Sequence, residues 1–211
     1  MKWWTFTLQK EASKKINFCK IQPAPKPAVL LNIFVFLLFR LKDILVKYEK
    51  IITMTKLNAI GLDVEKSKDL ADMLNDLLAN FSIYYMNVRG FHWNIKGEKF
   101  FELHLKFEEI YTDLQEKIDE IAERTLTLGQ TPVHAYSDYN EQSQIKEVKN
   151  VSDGRESVES LLNGFQILIT KERKILDLAG ELNDEGTNAL MSDYIREQEK
   201  TVWMLSSYLK K

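Results

Sequence analysis

The chain has 211 residues, 45% of them hydrophobic and 28% charged, with a formal net charge of −2. Its one cysteine, Cys19, excludes an internal disulfide, and neither an internal repeat nor a glycine-rich phosphate loop is present. Charge is unevenly placed. Residues 1–53 carry ten Lys/Arg against three Asp/Glu, giving +7, and residues 54–211 carry the other 19 against 28, giving −9. An acidic body attracts metal cations and disfavours a phosphate backbone, whose binding requires clustered Lys and Arg.

From Met1 to Thr53 the chain reads as an extension outside the main fold. A proline-punctuated stretch, Gln22 to Pro27, precedes an apolar run of about 11 residues, Val29 to Phe39. That run is short of the roughly 20 residues a bilayer span needs. It is followed by Arg40, Lys42, Asp43 and Lys47 rather than a small-residue cleavage site. Met54 stands immediately before the first helical pattern, so residues 1–53 are expected to lie upstream of the true start, with 54–211 as the domain.

Leu70, Leu74, Leu77, Leu78, Phe81, Tyr84, Tyr85 and Val88 recur at helical spacing and predict a helix from about Val64 to Phe91. Gly97 marks the turn to a second helix. There, Leu103, Phe107, Ile110, Leu114, Ile118 and Ile121 fall within a sector of about 80°, and Gly129 with Pro132 ends the pattern. A polar connection around Ser137 to Asn150 follows, with a short helix expected near Tyr139 to Ile145. His134 in that connection reads as a surface residue. Asp153 with Glu156 reads as a capping box for a third helix through Leu161, Phe165, Leu168, Ile169 and Leu176. A turn at Asn183–Gly186 leads to a fourth, from about Thr187 to Leu209. The body is large enough for one core, and the fold class is all-α: a four-helix bundle with a short extra helix in a long crossover connection.

The second helix carries the chemistry. His92 and Trp93 precede it; His104 and Glu108 lie four apart on it, and so do Asp119 and Glu123. Residues four apart share a helix face, and imidazole with carboxylate suits iron, zinc or manganese. Taking His104 as zero, the positions 104, 108, 119 and 123 fall near 0°, 40°, 60° and 100°, on one flank. Yet His104 and Asp119 are roughly 22 Å apart along a straight helix, so one ion cannot use both pairs from one chain. Two copies packed antiparallel about a two-fold axis near Asp113–Leu114 would bring His104/Glu108 of one to Asp119/Glu123 of the other, making two equivalent sites.

These residues also carry a resemblance. Phe91-His92-Trp93-Asn94-Ile95-Lys96-Gly97, Phe100 to His104, Phe107-Glu108-Glu109 and Asp119 to Arg124 resemble the Dps family, the mini-ferritins of the ferritin-like superfamily, over about Lys56 to Lys211. The resemblance implies a ferritin-like bundle and an iron site at a dimer interface. His92, His104 and Glu108 would come from one subunit and Asp119 and Glu123 from its partner, with Trp93 as an auxiliary residue handling oxidising equivalents or packing the interface. It implies a cytoplasmic ferroxidase that oxidises Fe2+ with hydrogen peroxide or oxygen. Two-fold dimers would assemble into a dodecamer storing ferric mineral, with no membrane contact for residues 54–211. Ordinary ferritins instead use Glu-x-x-His inside one bundle, and no Glu lies three residues before any of the three histidines. Asp184 and Glu185 are open to two roles, acids of an iron-entry pore or helix N-terminal charges. Two other functions remain on these residues: a DNA-binding protective shell, which the −9 body disfavours, and an oligomer holding zinc or manganese structurally.

Overall fold

The computed structural model describes residues 27–52 and 56–210. The chain divides into two units, Met1–Met54 and Thr55–Lys211. Cys19, the stretch from Gln22 to Lys26, and Met54 lie outside the described residues. In the first unit the apolar run and the basic residues after it form one helix, α1, Pro27–Ile52. Pro27 opens it, as suits a residue whose missing N–H is unneeded at a first helical position. Among the described residues no helix is long and apolar enough to cross a membrane.

The second unit comprises α2 (Val64–Asn94), α3 (Phe100–Thr127), the short α4 (Tyr136–Gln142), α5 (Gly154–Glu181) and α6 (Glu185–Leu209). It is an all-α bundle in which α2 pairs with α3, α5 with α6, and α2 packs on α5. The apolar stripes form the core: Leu70, Leu74, Leu77, Phe81 and Val88 of α2 meet Phe107, Leu114 and Ile121 of α3 and Leu161, Leu168 and Ile175 of α5. Ile118, at the stripe's edge, is only half-buried. α2 runs three residues further than its apolar pattern, which places His92 and Trp93 in its last turn.

Helix ends follow local chemistry. At the end of α3, Gly129 takes φ 89°, its N–H donates to Leu126 O, and Gln130 N–H donates to Thr125 O, the paired closure a left-handed residue permits. Asn183 does the same after α5 at φ 55°, with Asp184 N–H reaching back to Ala179 O. Asp184 then caps α6: its carboxylate accepts from Thr187 N–H and Thr187 Oγ1, and from the Arg124 guanidinium of α3. Burial alone would raise the Asp184 carboxyl's pKa, but the bonds from Thr187 and Arg124 hold it below its ordinary value. Of the two acids at this turn, Asp184 is thus committed to the cap, and Glu185 is exposed.

The long connection is not independent structure. Its short helix covers Tyr136–Gln142, three residues earlier than the polar pattern suggested, and buries none of its residues. Three asparagines of α2 hold the connection instead. Asn75 Oδ1 accepts from Val133 N–H; Asn80 Oδ1 accepts from Ser143 Oγ, Gln144 N–H and Ile145 N–H; Asn87 Oδ1 accepts from Val148 N–H. One close approach joins α2 and α5. A Cβ on Gly164 would stand 2.2 Å from the Tyr84 ring, whose hydroxyl donates to Leu161 O at 2.8 Å.

Candidate metal centre

The α2–α3 turn at Gly97 (φ 104°) folds the last turn of α2 against the first turns of α3, and two histidines meet there. The His92 and His104 rings stack with centroids 3.7 Å apart and planes 19° from parallel. Each is tied to the other's backbone: His92 Nδ1 lies 2.8 Å from His104 O, and His104 Nδ1 lies 2.8 Å from His92 O. A carbonyl only accepts, so both Nδ1 atoms carry the proton and donate it. In the neutral form such a ring keeps its lone pair on Nε2, the arrangement in which an imidazole is oriented for a metal ion by a bond from its other nitrogen. His92 is nearly buried and His104 half-buried.

Glu108, one turn beyond His104, is exposed, as are Asp119 and Glu123 further along. α3 is one uninterrupted helix from Phe100 to Thr127, so the second pair stays about 22 Å from His104. The structure thus brings His92 and His104 together, carries Glu108 one helical turn beyond His104, and leaves Asp119 and Glu123 at the far end. Within one chain, no three His, Cys, Asp or Glu among the described residues are grouped to hold an ion. Other α3 acids are engaged: Glu109 with Lys106, Asp113 with Lys117 and Glu120 with the Tyr194 hydroxyl. The acids at 108, 119 and 123 make no side-chain bond among the described residues, and neither does Glu116.

The bundle interior, where ordinary ferritins place their centre, is occupied by another group. Lys117 of α3 sits buried between Asp113 and Glu197, its ammonium 5.1 Å from the centre of the Tyr194 ring. Desolvation lowers the Lys117 pKa and the two carboxylates raise it, with a net rise, so it stays charged. Nearby, Glu172 of α5 has no solvent exposure and accepts from Gln198 Nε2. A fixed ammonium in this space repels a metal cation. His134, the third histidine, is exposed and among the described residues is bonded only to Pro132 O. A groove of about 500 Å3 between α5 and α6 is lined by none of the expected ligands.

Three residues around the histidines, Tyr111, Arg89 and Tyr85, were given no place at the site by the sequence alone. The Tyr111 ring stands edge-on to His92 at 5.3 Å. Arg89 lies over Tyr85, Trp93 and Tyr111, at 5.5, 4.8 and 5.4 Å from their ring centres, and Tyr85 is 6.2 Å from Tyr111. The signal was present: Tyr85, Arg89 and Trp93 are successive fourth residues on one face of α2, which ends next to His92.

Residues 71–211 match the family model of the ferritin-like domain. The DNA protection during starvation protein of Porphyromonas gingivalis is 42% identical over 155 residues, covering 74% of this chain and 98% of that protein. The chain belongs to the Dps family. Among solved structures, the Dps protein of Vibrio cholerae O1, described as a member of a broad superfamily of ferritin-like diiron-carboxylate proteins, is 61% identical. It superposes with a TM-score of 0.73 over 75% of this chain and 99% of its own. A Dps protein from Bacillus brevis is 36% identical with a TM-score of 0.67, covering 69% and 98%. The two helix pairs and the crossover described above are therefore the Dps fold.

Proposed function

We propose that this Dps-family chain is a cytoplasmic ferroxidase and iron store. Fe2+ is its substrate, bound between two subunits by His92, His104 and Glu108 of one and Asp119 and Glu123 of the other. The observation that carries the reading is the reciprocal pair of imidazole–carbonyl bonds, which leaves both Nε2 atoms free to bind an ion, with Glu108 one helical turn from His104 and the set incomplete within one chain. Neutral imidazoles and carboxylates bind Fe2+ loosely enough to leave positions for an oxidant, and hard oxygen ligands favour Fe3+ once formed. Hydrogen peroxide, or oxygen, takes the electrons, and the ferric product is held as mineral inside a closed shell, with two-fold dimers assembling to a dodecamer. Consuming iron and peroxide together would protect the cell from hydroxyl radical.

The test is anaerobic addition of peroxide to protein loaded with Fe2+. Substituting His104→Ala or Asp119→Ala is expected to slow iron oxidation by at least about tenfold, since loss even of groups that merely support ligands costs that much. Subunits of the two variants, mixed and reassembled, recover oxidation, because half of the sites in a mixed dimer regain every ligand. Equal rates in wild type and the variants would leave a structural zinc or manganese site instead. The relatives' names refer to DNA protection. In this chain, with −9 over residues 54–211, we attribute such protection to chemistry rather than to coating DNA. Retention of DNA that falls steeply with salt would reverse that assignment.

A further inference from the structure

We infer that α1 lays the 211-residue chain on an anionic lipid bilayer and so tethers the acidic body to a membrane surface. From Ile33 to Phe39 seven apolar residues follow one another, and every residue from Phe34 to Leu45 is exposed. Phe34, Phe36 and Phe39 are 60%, 63% and 66% exposed. A contiguous apolar surface of this kind marks a place of contact.

The pattern along α1 narrows what covers it. Successive helix residues point about 100° apart, so seven in a row coat the helix on all sides over about two turns. A single packed partner covers one face, whereas residues apolar all round need a surrounding apolar medium. After Phe39 the pattern changes. Taking Leu41 as zero, Phe34, Leu37, Leu38, Ile44 and Leu45 fall within about 60° of it, as one continuous stripe. Val35, Phe36 and Phe39 occupy the other half, which Arg40, Lys42 and Asp43 then take over. α1 is thus apolar all round before Arg40 and amphipathic from Arg40 to Leu45. That is the form of a helix lying in a membrane interface with one end dipped toward the acyl chains. It is not a span, since no described helix is long and apolar enough to cross a membrane.

Charge selects the kind of bilayer. Residues 1–53 carry +7 and residues 54–211 carry −9. Anionic headgroups attract the first and repel the second, so attachment runs through the segment that holds α1. A nucleic acid would attract the same cations, but its phosphate surface gives the apolar stripe nothing to bury against. The inference stands on α1 alone and does not rest on the ferroxidase reading. It competes with the expected start at Met54, since a chain begun there has no α1.

The test is flotation of the full-length protein with vesicles of equal parts phosphatidylglycerol and phosphatidylcholine, beside vesicles of phosphatidylcholine alone. With the anionic vesicles the full chain is expected to float about tenfold or more above a chain begun at Met54, and to lose most of that with the neutral ones. Trypsin cleavage after Arg40 and Lys42 should slow by a similar factor when the anionic vesicles are added. Leu37→Asn with Leu41→Asn leaves the charge unchanged and should abolish most of the flotation. Arg40→Gln with Lys42→Gln should remove most of the preference for anionic lipid. Flotation that is equal with and without residues 1–53, or undiminished in the Leu37/Leu41 variant, overturns the inference. Cleavage already slow without vesicles, with no flotation, overturns it in favour of a second copy of α1 as the cover. Retention on DNA without flotation overturns it in favour of nucleic acid. Protein from its native host that begins at Met54 by intact mass overturns it as well. Each of these leaves the ferroxidase reading standing, because the peroxide assay is run on the chain begun at Met54.

Discussion

Glu172 sits in the middle of α5 without solvent contact, and one of its carboxylate oxygens has no hydrogen-bond partner among the described residues. The same holds for Oε1 of its neighbour Gln198. Burial pushes the Glu172 carboxyl up to about 8, against the opposing pull of the Gln198 amide and the Lys117 and Arg173 charges. At neutral pH the group is therefore mostly protonated, and the proton gives a buried oxygen a hydrogen to donate where a carboxylate only accepts. The folded chain binds this proton more tightly than the unfolded one, so its contribution to stability falls as pH rises from about 4.5 to about 8. Glu172→Gln keeps the shape and removes the titration. Its stability relative to wild type should grow across that window and level off above it, as denaturant midpoints at pH 5, 7 and 9 would show. A difference independent of pH would mean that the carboxyl titrates near its ordinary value.

At the scale of elements, the α2 asparagines set a second expectation. Asn80→Ala would leave the N–H groups of Gln144 and Ile145 without their acceptor, in a place where Ile145 is buried, while the Ser143 hydroxyl keeps Ile145 O at 2.8 Å. Each stranded buried donor costs about 1–3 kcal/mol. The variant should therefore lose about 1–3 kcal/mol, with hydrogen exchange accelerated between Ser143 and Val148 before the helices respond. A companion change, Gly164→Ala, forces a methyl into the Tyr84 ring and should cost about 1–3 kcal/mol by overpacking. The contrast explains what was legible beforehand. Leu70 to Val88 and Leu103 to Ile121 announce their helices because burying one face imposes a 3.6-residue period that local sequence records. Glu108, Asp119 and Glu123 were legible for the same reason, as offsets on one helix. The short helix of the crossover was set three residues late because the connection's conformation is fixed by side chains 58 to 65 residues away, and such partners leave no period. The His92–His104 clasp and the Tyr111 contact likewise exist only once α2 folds back on α3.

At the scale of the whole molecule, the flank of α3 that bears the proposed ligands also bears exposed apolar side chains: Phe101, Leu105 and Leu126 are 78%, 64% and 58% exposed. By helical arithmetic they fall near 60°, 100° and 40° from His104, interleaved with Glu108, Asp119 and Glu123. A two-fold axis midway between Asp113 and Leu114 pairs each residue with the one equally far on the other side. It sets His104 against Glu123, Glu108 against Asp119, and Phe101 against Leu126. One operation thus completes the proposed ligand sets and covers Phe101 and Leu126, which stand roughly 37 Å apart along a single α3 and cannot meet within a chain. Leu126→Asp should therefore weaken subunit pairing, since a charge is placed opposite an aromatic ring twice per dimer, and slow iron oxidation by about tenfold or more as the shared sites come apart. The helix content of the separated chain should persist, because Leu126 lies outside the core. Adding Phe101→Lys to the same chain puts an ammonium opposite that carboxylate and should restore both assembly and oxidation. Sedimentation velocity run beside the peroxide assay separates the cases: recovery in the double variant fixes the antiparallel register of α3, and failure to recover, with both single variants folded, would place the axis elsewhere.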